Sequence, residues 1–168
     1  MSATTTTAEA SRVRLSPEHL GIAHITDSPE GSLETVERLL QKNHDDYHVY
    51  WRDVGGHNHI SHSVLSVLAL GGGPVQLQRA YDDGIEIQRP TPPLYQHIVQ
   101  ELGDPDKFLA KIGQIDQYTN FLLFFEQQIE AKGWKAVVQE YLFSRTPVAE
   151  KLFAQLCEGA FVCFERSG

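Results

Sequence analysis

Three histidines fall within six residues, in the string His57-Asn58-His59-Ile60-Ser61-His62. Neutral imidazole is the commonest metal ligand in proteins, so the first chemistry this spacing suggests is coordination of a transition metal. On a helix turning about 100° per residue, His59 and His62 sit about 60° apart and can converge on one ion. His57 would lie almost opposite His59 on the same helix. If the helix begins at Asn58, His57 belongs to the preceding loop and can fold back to the same point. Iron normally adds a carboxylate or further ligands and keeps a position open for oxygen, so the remaining donors would be distant in sequence. His44 and His48, at i, i+4 spacing, and Glu126 are the first candidates. The competing reading is that the histidines cap and pack.

Other motifs point less far. The string is not HExxH, so zinc-protease chemistry is not indicated. Leu70-Gly71-Gly72-Gly73-Pro74 is glycine-rich and precedes a helix. It follows a helix rather than a strand, and lacks both GxGxxG and the Walker Lys-Ser/Thr, so it reads as a helix stop. There is no GxSxG elbow, and neither Cys157 nor Cys163 has a histidine placed by sequence to activate it. Tyr47, Tyr50 and Trp51, just before the histidines, could line a pocket for a flat aromatic molecule or simply join the core.

The elements that must position these residues are helical. Asp27-Ser28-Pro29 signals a helix start, and Leu33, Val36, Leu39 and Leu40 repeat at helical spacing to about Asn43. A second helix is expected from Asn58, with Ile60, Val64, Val67 and Leu68 on one stripe, up to the glycines. Pro74 starts a third, carrying Val75, Leu77, Ala80 and Tyr81 and ending at Asp82-Asp83-Gly84. Arg89-Pro90-Thr91-Pro92-Pro93 forbids helix and makes a rigid connector. Further helices are expected over Leu94–Leu102, about Ile115–Lys132, Trp134–Phe143 and Pro147 to about Glu158. The stripe Tyr118, Phe121, Leu122, Phe125 and Ile129 is the strongest core signal. No alternating strand pattern appears. The fold class is all-α, a layered array of several helices.

Composition bounds the function. A chain of 168 residues with 41% hydrophobic and 21% charged residues sits in the globular range and can bury a core without staples. A net charge of -8 with 14 scattered basic residues excludes a nucleic-acid footprint. Two cysteines six apart fit a reducing, cytoplasmic setting, and no apolar run approaches a membrane span. Residues 1–14, beginning Thr-rich, are expected to be a disordered tail; a transit peptide is the other reading of that composition.

Taken jointly, several strings resemble the questin oxidase-like family. They are Leu39-Leu40-Gln41-Lys42-Asn43-His44, Tyr47-His48, His57 to His62, Leu68-Ala69-Leu70-Gly71 and Ala80-Tyr81-Asp82, followed by Tyr118, Phe121, Phe124-Phe125 and Gly133. The resemblance covers roughly residues 15–161. It implies an oxidoreductase of fungal aromatic polyketide pathways that opens an anthraquinone-type ring by an oxygen-dependent, Baeyer-Villiger type reaction with NADPH. It also implies non-haem Fe(II) held largely by histidines, which makes His57, His59 and His62 the expected metal ligands, with an aromatic polyketide as the partner molecule.

Members of that family are more than twice as long. After a segment similar to Glu158-Gly159-Ala160-Phe161 they continue into a second histidine motif, HPxIHxG, where this sequence reads Val162-Cys163-Phe164-Glu165-Arg166-Ser167-Gly168. The expectation is an incomplete part of a larger helical domain with a non-family tail over 162–168. Such a truncated half site would bind iron weakly and be inactive alone. A non-catalytic helical interaction domain is the rival reading. A metal-storage bundle would need paired Glu-x-x-His motifs, which are absent.

Overall fold

Helix α1, Ser32–Asp46, turns Val36 and Leu39 fully inward and leaves Glu34 and Arg38 outside, as its 3.6-residue period requires. It starts later than Asp27-Ser28-Pro29 suggests, because the Ser28 hydroxyl donates to the Leu68 carbonyl (3.0 Å) instead of capping. Gly31, at φ 80°, supplies the turn into the helix, and the buried Ser32 hydroxyl donates to the Gly72 carbonyl (3.3 Å). The computed structural model describes residues 9–17, 26–50 and 56–165.

α2, Ile60–Ala69, buries Ile60, Val64 and Leu68, and the glycines after it turn the chain as expected. The Gly71 and Gly72 amides donate to the carbonyls of Leu68 (2.9 Å) and Val67 (2.8 Å). α3, Pro74–Ile85, begins at the expected proline but runs through Gly84. Leu77 and Tyr81 are buried, whereas Val75, expected on the same stripe, is 79% exposed because α3 meets its neighbours on the Leu77/Tyr81 side. Val36, Leu39, Ile60, Val64, Leu68, Leu77 and Tyr81 form one core, each side chain contributing on the order of 2 kcal/mol of burial. These helices belong to a compact unit, Arg12–Thr91, called here the histidine unit.

The second unit, Pro92–Gly168 with Met1–Ser11, is the aromatic unit. It carries α4 (Gln96–Glu101), α5 (Pro105–Lys111), a 3-10 turn (Ile115–Gln117), α6 (Tyr118–Lys132), α7 (Trp134–Leu142) and α8 (Pro147–Glu165). α5 goes beyond the sequence expectation, though Asp104-Pro105 is an ordinary start signal. The Asp104 carboxylate accepts from the amides of Asp106 (3.0 Å) and Lys107 (3.2 Å), with Pro105 in the first turn. Lys107 (3.3 Å) and Lys111 (3.5 Å) of α5 pair with Glu101 at the end of α4, and Lys107 foremost holds that carboxyl below its usual range.

Phe108 is the hub of this unit's core. Its ring centroid lies 5.0 Å from Phe121, 5.9 Å from Phe124, 6.1 Å from Phe125 and 5.9 Å from Tyr141. The stripe expected on α6 is out of phase: Phe124 and Asn120 are its buried residues, while Tyr118, Phe121, Leu122, Phe125 and Ile129 are half-buried. Phe121 to Phe125 is an unbroken apolar run, and α6 packs against both α4 and α7, so periodicity alone does not fix its inner face. Asn120 accepts from the Tyr95 amide (2.7 Å) and donates to Gln117 (3.0 Å), anchoring the entry to α4. α8 continues through Gly159, since one glycine weakens a helix without ending it, and Leu156 is 61% exposed rather than inward. Among the described residues there are no strands, only the isolated bridges Tyr47 to Pro90 and Tyr50 to His57. The class is all-α. No helix among the described residues is long and apolar enough to cross a membrane.

Candidate functional site

The histidine segment is held by a short extended strip that leaves the end of α1. On one side of the strip, the His48 amide donates to the Arg89 carbonyl (2.8 Å) and the Thr91 amide to the Asp46 carbonyl (3.0 Å). The proline-rich connector is thus its first partner. On the other side, Tyr50 bridges to His57, and the Asn58 amide donates to the Val49 carbonyl (2.6 Å). α2 begins at Ile60, two residues later than expected, so His57 and Asn58 precede the helix, paired beside the strip, and His59 takes the cap position.

This placement brings the three expected residues together. The ring centroids of His57 and His59 lie 4.4 Å apart and stacked, those of His57 and His62 5.2 Å apart, and those of His59 and His62 5.7 Å apart. His57 is half-buried; His59 and His62 are exposed. Burial first, then the neighbouring His59 and His62, pull the His57 pKa below the ordinary histidine value, so its imidazole favours the neutral form a metal needs. The donors therefore suit a transition metal in kind. Their packing is ring against ring, and among the described residues no group of three or more His, Cys, Asp or Glu is placed to hold a metal ion.

The supplementary candidates lie on other elements. α1 ends at Asp46, so His48 lies beyond the helix and the i, i+4 relation to His44 is not a helical face. His48 is buried, and its Nδ1 accepts from the Tyr50 amide (2.8 Å). Glu126 sits on α6, in the aromatic unit. Of the aromatics, Tyr47 packs on the aliphatic core, Tyr50 is exposed and stacks on His48 at 5.7 Å, and Trp51 lies outside the described residues. Burial pushes the nearby Tyr81 hydroxyl up to about 12, with Tyr47 and Asp46 adding to the shift.

Sequence reasoning passed over Asn43 and Asn58. The Asn58 side chain donates to Asn43 Oδ1 (2.8 Å) and the His48 carbonyl (3.4 Å), and accepts from the Ile60 amide (2.9 Å). Its position two residues before the helix was the available signal, since Asn there closes an Asx-turn.

A questin oxidase-like family profile matches residues 56–163, the span that contains all three histidines. The chain is 63% identical over 159 residues to the Baeyer-Villiger oxidase ptaJ of Pestalotiopsis fici, covering 95% of this chain and 36% of that protein. It is 55% identical over 154 residues to a questin oxidase of Aspergillus terreus, covering 92% of this chain and 34% of the relative. A questin oxidase of Aspergillus fumigatus is also 55% identical, over 155 residues, with 92% and 35% covered. The chain belongs to the questin oxidase-like family. It spans about a third of the length of these relatives.

Proposed function

We propose that this chain forms part of an oxidoreductase that carries out oxygen-dependent oxidation or ring cleavage of an aromatic polyketide of anthraquinone type. The observation that carries the reading is the mutual packing of His57, His59 and His62 within the span matched by the family. Relatives named as questin oxidase and Baeyer-Villiger oxidase supply the reaction class.

In this reading His59 and His62 are the first ligands of an Fe(II) ion and His57 the third. Exposed His59 and His62 can change rotamer from stacking to ligation, while half-buried His57 contributes a neutral ring held beside the strip. Iron bound there supplies activation of oxygen. The chain's own residues orient the donors: the strip sets His57, and the first turn of α2 sets His59 and His62. NADPH is proposed as the reductant from the family resemblance. No GxGxxG string occurs in the sequence. The reducing, cytoplasmic setting is proposed from cysteine usage.

Anaerobic titration of the 168-residue chain with Fe(II) tests the metal reading. Saturable binding that His59→Ala abolishes is expected, weak because three imidazoles leave positions unfilled. Equal binding by wild type and variant overturns it. Oxygen and NADPH consumption with an anthraquinone, measured on a protein of the relatives' length, tests the reaction. The second reading, a non-catalytic helical interaction domain, draws on the ring-on-ring packing and predicts no metal-dependent change in either chain.

A further inference from the structure

We propose that Asn58 is the positioning residue of the histidine cluster, anchored to α1 through Asn43. The inference rests on the metal reading above and adds to it the group that sets the ligands' geometry. Three bonds meet on one amide side chain: acceptance from the Ile60 amide (2.9 Å), donation to Asn43 Oδ1 (2.8 Å) and donation to the His48 carbonyl (3.4 Å). Its backbone amide adds a fourth, to the Val49 carbonyl (2.6 Å). Only a short side chain with both an acceptor and two donors serves all of these partners; Asp lacks the donors and Ser lacks the second donor.

The consequence falls on the flanking residues. His57 and His59 are bonded directly to Asn58, so fixing its backbone and side chain fixes where both imidazoles leave the chain. His59 stands at the cap position of α2 yet makes no capping bond with its side chain. Asn58 takes that task, and the His59 ring is left to its neighbours His57 and His62. Histidines serving as helix caps would show the opposite division of work. Asn43 extends the hold, donating from Nδ2 to the Ser61 hydroxyl (3.4 Å) in the first turn of α2.

Co(II) titration of the full 168-residue chain, read in the visible ligand-field bands, tests the proposal. Loss of a group that orients metal ligands typically weakens affinity by about 10–100-fold. Asn58→Ala is expected to weaken cobalt binding about tenfold or more, and Asn43→Ala by a smaller factor, with the unfolding midpoint of Asn43→Ala close to wild type. Asn43→Asp keeps the acceptor for Asn58, its second oxygen can accept from the Ser61 hydroxyl where Asn43 donates to it, and it is expected to restore the wild-type affinity and band positions. Wild-type affinity in both alanine variants overturns the proposal, as does failure of Asn43→Asp to recover what Asn43→Ala loses. If the wild-type chain takes up no cobalt, the metal reading fails by itself. Asn58 is then judged by amide exchange: faster exchange at Ile60 in both alanine variants supports the anchor, and unchanged rates overturn it. If Asn58→Ala does not fold, the Asn43 pair decides.

Discussion

The two units of this chain are built from different residues. Every phenylalanine lies in Pro92–Gly168, and every histidine except His97 lies in Arg12–Thr91. The aromatic unit holds itself with a ring cluster around Phe108. The histidine unit relies on an aliphatic core with one buried tyrosine, overlaid by a mesh of backbone and amide hydrogen bonds. Ring packing is geometrically tolerant, whereas an amide bonded on three sides is not. The difference separates a part that needs only to be solid from a part that must place particular atoms.

The largest test of this contrast is Phe108→Ala. It removes the hub of the ring cluster and is expected to cost about 3–5 kcal/mol in urea unfolding, with Phe108→Leu under about 1.5 kcal/mol. Equal losses for the two variants would show that shape, not volume, governs this core. Next, Asn120→Ala removes the buried side chain that accepts from the Tyr95 amide and donates to buried Gln117, and is expected to cost about 1–3 kcal/mol by the same measurement. A change within a few tenths would show that Asn120 does not anchor the entry to α4.

The smallest effect is in the histidine unit and depends on pH. The folded chain holds a proton on His57 less readily than the unfolded chain does, so folding is opposed by protonation. Stability should fall as pH drops through the unfolded histidine value of about 6.5 and be flat above it. Melting temperatures from pH 7.5 down to about 5.5 should decline more steeply for wild type than for His57→Gln. Parallel curves would show that His57 is not shifted. Glu101, whose pKa lies below the usual carboxylate value, loses its contribution only at lower pH and does not enter this window.

Much of this contrast was legible in the sequence. Val36, Leu39, Ile60, Val64 and Leu68 fall on clean helical stripes because each helix buries a single face. Pro74 and the three glycines marked element ends because proline and glycine act through local backbone geometry. α6 was misphased because its apolar residues run consecutively and neighbours press on more than one side. For the site, the spacing of His57, His59 and His62 was enough to foresee their proximity. The place of Asn43 was not foreseeable, since its bond to Asn58 spans fifteen positions and follows only from how α1 meets α2.

The strip beside the histidines also fixes an order of cause. Joining its residues to the proline-rich connector closes roughly forty residues of chain, which costs about 3 kcal/mol of loop entropy. The two backbone bonds that make the junction, His48 to Arg89 and Asp46 to Thr91, contribute roughly 1 kcal/mol each and do not offset that cost alone. The remainder must come from the aliphatic core that the loop's side chains share with α1. The seam is therefore a product of the core beneath it, and the histidines stand where they do because Leu39, Ile60 and Leu77 are oily.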